Sequence, residues 1–90
     1  MNYRQRRAKT TAVIEQVFKK LNGLPPTSKF VDHAERMIKD ALNELFVDGT
    51  LVFVPRFSVE NLPNNDFYLH FNETDIVTCF GDPYEYEQDK

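Results

Sequence analysis

Residues 45–71 read LFVDGTLVFVPRFSVENLPNNDFYLHF, and the hydrophobic period changes inside this stretch. Up to Gly49 the apolar residues recur every three or four positions. Beyond it Leu51, Phe53 and Phe57 alternate with other residues, as do Phe67, Leu69 and Phe71 on the far side of ENLPNND, whose Asn, Pro and Asp residues are turn formers. A helix followed by a β-hairpin with a longish loop is predicted. Pro55 has no N–H to donate, which places it at a bulge or an edge position of the first strand.

Working back toward the N-terminus, TSKFVDHAERMIKDALNELFVDG (27–49) is the strongest helical signal in the chain. Thr27 or Ser28 can cap its start. Phe30, Ala34, Met37, Ile38, Ala41, Leu42, Leu45 and Phe46 follow at helical spacing, and Gly49 closes one unbroken helix of about 19 residues. Before it, NGLPP (22–26) stops an earlier helix that runs from about Arg4 to Asn22. Ile14, Val17, Phe18 and Leu21 form its apolar stripe, with Val13 and Tyr3 adding to it; Gly23 suits a left-handed cap. The tight connection folds the two helices into an antiparallel pair. At the other end, DIVTCF (75–80) reads as a short third strand that GDP terminates.

The expected architecture is α+β: an antiparallel two-helix hairpin packed on a small, mainly antiparallel sheet of two or three strands. Residues 1–81 form a single domain with a basic N-terminal helix, and residues 82–90 an acidic, tyrosine-containing tail. The expected core is Ile14, Val17, Phe18, Leu21, Phe30, Met37, Ile38, Leu42, Leu45, Phe46, Phe53, Phe67, Leu69 and Phe71.

Charge is distributed unevenly. Residues 1–29 carry seven Lys/Arg against one acid, residues 30–59 three against five, and residues 60–90 one against eight. A chain basic at one end and acidic at the other suits a polyanion at its head, or head-to-tail contact with a similarly polar neighbour. Cys79 is the single cysteine, so one chain can form neither an internal disulfide nor a thiolate-rich metal site, and a reducing cytoplasmic setting fits best. No apolar run approaches membrane-spanning length, and MNYRQRRAKTTAVIEQVFKKL lacks the apolar centre of a signal peptide.

No catalytic arrangement stands out. His33 and His70 are far apart and lack metal-ligand spacing, while Asp32, Glu35, Asp40 and Glu44 alternate with Arg36 and Lys39 as a solvated helix face does. Three isolated glycines make no phosphate-cradling loop. The expectation is a non-enzyme with no cofactor, no metal, no small-molecule substrate and no membrane partner.

Two kinds of binding then compete. A helix ending in ALNELFVDGTL before a hairpin resembles a winged-helix DNA-binding module, with Arg56 on the wing. Against it, the stripe from Phe30 to Phe46 keeps its phase without the turn a helix-turn-helix needs, and its acids would face phosphate. The alternative rests on the order of elements. A helix opening RRAKTTAVIEQVFKKL, a proline-containing connection, a longer helix ending ALNELFVDGTL, a hairpin with an ENLPNND loop and a final DIVTCFG together resemble the C-terminal domain of contractile tail sheath proteins of bacteriophage tails and related injection machines. Phe30 stands nearest to the tryptophan that family often carries early in its second helix.

The resemblance covers most of residues 6–81 and implies a non-catalytic structural or adaptor subunit, a small tail, neck or baseplate component. Such a chain is made in the cytoplasm and packed into a virion or similar particle. Its partners are other protein subunits, copies of itself included, with nucleic acid the less favoured partner. The candidate partner-binding residues are Arg4, Arg6, Arg7 and Lys9 on the first helix, Arg56 on the hairpin, and Tyr84, Glu85, Tyr86 and Glu87 in the tail, where aromatic anchors alternate with acids. An inhibitor that blocks a host protein is a third reading compatible with the same residues.

Overall fold

A computed structural model of the chain describes residues 2–23, 30–63 and 66–81. Helix α1 spans Tyr3–Asn22 and helix α2 spans Phe30–Val47; strands β1 (Phe57–Leu62) and β2 (Asp66–Phe71) follow, then a short helix α3 (Glu73–Thr78). The architecture is a small α+β fold in which the helix pair packs against a two-stranded antiparallel sheet.

Helix α1 begins with a reciprocal cap. The Asn2 side chain accepts from the Gln5 N–H at 2.9 Å, and the Gln5 side chain accepts from the Asn2 N–H at 3.1 Å, so two of the orphan donors at a helix start are satisfied. At the other end Gly23 is right-handed, with φ −84°, not the left-handed cap the sequence predicts. Its N–H bonds the Lys20 carbonyl at 3.2 Å, and a last turn tightened in this way needs no positive φ.

Helix α2 is the most deeply buried element. Ala34, Ile38, Ala41, Leu42 and Leu45 fall on one face and are buried, as their spacing requires. Phe46 departs from the expected core: it is 47% exposed, and Val47 beside it is 84% exposed. The helix ends at that point, and the chain reverses at Gly49 (φ +86°), a conformation that favours glycine. The Gly49 N–H bonds the Phe46 carbonyl and the Thr50 N–H bonds the Leu45 carbonyl, at 3.2 and 2.9 Å, which closes a Schellman cap. The expected caps Thr27 and Ser28 lie outside the described residues, as does the side chain of Phe30.

Lys9 of α1 meets Asp48 at the end of α2 at 2.7 Å, so the two helices run antiparallel. Between them, Ile14, Val17 and Leu21 of α1 join the α2 stripe in one core.

The hairpin differs from the expectation in two respects. Leu51 to Arg56 is not strand but an irregular crossing segment, with Leu51 and Pro55 buried, and β1 begins only at Phe57. Pro55 therefore precedes the strand. The strands then pair through Leu62 and Asp66, with Phe57 opposite Phe71, Val59 opposite Leu69 and Asn61 opposite Phe67. The residues expected in the loop are thus largely paired, leaving only residues 63–65 to connect the strands. Phe57, Val59, Phe67, Leu69 and Phe71 pack on the core; Ser58, Glu60, Tyr68 and His70 form the exposed face.

The expected third strand is replaced by α3. The Asn72 side chain accepts from the N–H groups of Thr74 and Asp75 at 3.1 and 3.0 Å. That cap, with Glu73 and Asp75 in the first turn, favours helix over the β preference of Ile76 and Val77. Cys79 and Phe80 then turn back into the core, and Phe80 meets the Tyr3 ring edge-on at 5.7 Å. The Val52 N–H bonds the Cys79 carbonyl at 2.8 Å, which ties the crossing segment to the end of α3.

Candidate protein-interaction edge

Among the described candidate binding residues, Lys9 and Arg56 are each held by a carboxylate within the chain. Lys9 is committed to Asp48, whose carboxylate also accepts from the N–H and hydroxyl of Thr50 at 2.8 and 2.6 Å. The Lys9 ammonium, followed by the Thr50 donors, holds the Asp48 carboxyl down at about 2. Arg56 is committed in the same way. Its Nε and Nη2 reach the two carboxylate oxygens of Asp75 at 2.8 and 3.2 Å, and its backbone N–H adds a third bond at 3.0 Å. The forked contact lowers the Asp75 pKa and raises that of Arg56. Arg56 therefore clamps the start of β1 to α3 and is no free wing residue.

Of the remaining α1 bases, Arg4 and Arg7 are exposed and Arg6 is half-buried, with its guanidinium beside Gly81. Tyr84, Glu85, Tyr86 and Glu87 lie outside the described residues. Among those described, no three His, Cys, Asp or Glu side chains converge as metal ligands, and no helix is long and apolar enough to cross a membrane. Cys79 is buried, and burial pushes its thiol up to about 11, which keeps it protonated and unreactive.

The sheet edges carry the distinctive geometry. Among the described residues the sheet has two strands, so each keeps one side without a ladder partner. The Asn72 N–H donates to the Arg56 carbonyl at 2.9 Å. Because successive residues of an antiparallel strand direct their main-chain groups to alternate sides, His70 and Tyr68 also face β1, whereas Leu69 and Phe71 direct their N–H and C=O outward.

Beside this outer edge, Ile14, Phe18 and Asn22 of α1 and Phe67, Leu69 and Phe71 of β2 line a groove of about 460 Å³. A second hollow of about 430 Å³ shares Ile14, Phe18 and Phe71 and continues past Arg7 to Tyr3, Val77 and Phe80. The two make one apolar channel along α1. Its floor includes the edge-on contact of Phe18 with Phe67 at 5.4 Å. On the open face above, Glu60 and His70 approach to 2.8 Å, and Tyr68 lies 4.5 Å from the His70 ring.

The channel is not legible in the sequence because its walls come from α1, β2 and α3, which meet only in the fold. The one local signal was in β2: after Asp66, Phe67–Phe71 contains no Lys, Arg, Asp, Glu, Pro or Gly, the residues that usually guard a sheet edge. Comparison with known protein families, curated proteins and solved structures yields no match.

Proposed function

We propose that this chain is a non-catalytic structural or adaptor subunit of a protein assembly, a small bacteriophage tail, neck or baseplate component that engages other subunits and is carried in the particle. The observation that supports the reading is the outward main-chain edge of β2 beside an apolar channel. A strand added there gains main-chain hydrogen bonds for affinity, while the channel takes alternate side chains. Phe46, Val47 and Val52, all exposed around the reversal at Gly49, supply further apolar surface of the kind subunit contacts cover. The resemblance of the sequence over most of residues 6–81 to a tail sheath C-terminal domain supports the class of assembly, with α3 standing where that resemblance implies a strand.

The test is incorporation. The tagged chain is expressed together with a tail-assembly system, and assembled particles are separated by sedimentation and probed for it; in parallel, the purified chain is titrated with duplex DNA across a salt series. Retention in particles without a DNA shift is the expected result. Absence from particles together with duplex binding that falls steeply with salt would refute the reading.

A further inference from the structure

The occupant of the β2 edge is open to a more specific answer. We infer that β2 pairs edge to edge with β2 of a second copy, antiparallel, about a two-fold axis that crosses the strand near Leu69. The result is a four-stranded sheet in the order β1, β2, β2, β1. This inference rests on the assembly reading and names the first partner in it.

Three observations carry it. The N–H and C=O of Leu69 and Phe71 point outward and have no ladder partner among the described residues. An isologous contact uses the same patch twice, so a strand that offers donors and acceptors to one side is complementary to itself when reversed.

The second observation is the composition of the strand. Self-pairing near Leu69 sets Tyr68 against His70 of the partner copy and places no two formal charges of like sign opposite one another. Aromatic cross-strand pairs of this kind favour the ladder.

Finally, the opposite edge of the hairpin is unsuited to the same role. Pro55 and Pro63 flank β1, and its groove runs along Asp32, Glu35, Arg36 and Lys39 of α2. Prolines and charges at a strand edge disfavour pairing, so β2 is the edge suited to extension. Extension on one side closes as a dimer and does not propagate as a fibre.

The experiment is sedimentation equilibrium of the purified full chain over a concentration series, for the unmodified protein and for Tyr68→Lys, His70→Lys and Ser58→Lys. Amide exchange is recorded at low and high concentration. Self-association is expected. Tyr68→Lys and His70→Lys each place two like charges near the axis and raise the dissociation constant roughly tenfold or more; Ser58→Lys, on β1 of the same face, leaves it unchanged. Exchange at the Leu69 and Phe71 amides slows as concentration rises.

A chain that stays monomeric throughout, or a dimer in which Ser58→Lys weakens association as much as Tyr68→Lys, overturns the inference. So does protection of the Leu69 and Phe71 amides that does not depend on concentration. A monomer that still enters particles, and loses that entry with Tyr68→Lys, overturns self-pairing while leaving the assembly reading intact. A monomer absent from particles overturns both.

Discussion

The two sides of the hairpin are built from the same alternating pattern but finished differently. On the β1 side, the sheet leans on α2, whose Ala34, Ile38 and Leu42 are fully buried, and Arg56 clamps the start of the strand to Asp75. On the β2 side, the sheet leans on α1, where Phe18 stays half-buried and an open apolar channel remains between helix and strand. The difference teaches that one side of the hairpin is sealed by packing while the other leaves apolar surface open. Packing that is complete leaves nothing to bind.

Substitutions can break this contrast. Ile38→Ala on the sealed side leaves a cavity with no solvent to fill it and is expected to cost about 2–5 kcal/mol, enough to populate the unfolded state of so small a domain. Phe18→Ala on the open side removes a ring already partly in water and should cost about 1–2 kcal/mol. Urea denaturation of the two variants, read by circular dichroism, measures both; equal losses would mean that the channel is as well packed as the α2 face.

Gly49→Ala tests the cap that turns the chain from one side to the other. A Cβ there would touch nothing within 4 Å, and φ is +86°, so the cost is conformational alone, about 1 kcal/mol. A loss several times larger would show that the reversal is strained beyond its dihedral. Tyr68→Lys, by contrast, sits on the exposed face and is expected to change stability by no more than about 0.5 kcal/mol, even where it weakens association. That separation of stability from binding is the sharpest check on the comparison.

The smallest effect concerns acid. The folded Asp48 carboxyl is held at about 2, below its ordinary 3.8. Its contribution is therefore fully present above about pH 4 and is lost as pH falls through about 2; the lowered Asp75 acts in the same direction. Stability followed against pH should fall over this window more steeply for the unmodified chain than for Asp48→Asn, and the two curves should converge at the acid end. Because Lys9 and Asp48 are both substantially exposed, added salt should narrow the gap.

Much of this arrangement was legible in the residues. The α2 stripe from Ala34 to Leu45 was, because helical spacing forces those side chains onto one face whatever packs there. Phe67, Leu69 and Phe71 were legible for the same reason at period two. Leu51 to Pro55 reads as strand because alternating apolar residues in a partly buried irregular segment look like one. DIVTCF was misread because its β-branched residues spoke louder than the Asn72 cap that precedes them. Arg56 was assigned outward to a partner because nothing local marks Asp75, 19 residues away, as its counterpart.

The sequence by itself determined two amphipathic helices, the pairing strands and the uneven charge along the chain, since each follows from a local period or a local count. Only the tertiary structure decided which side of the sheet is sealed and which stays open. That outcome depends on how far α1 and α2 each cover a strand, and on contacts such as Arg56 to Asp75 and Lys9 to Asp48 between residues distant in the chain. No local pattern encodes such distances, because they are set when the helices, the hairpin and α3 settle against a common core.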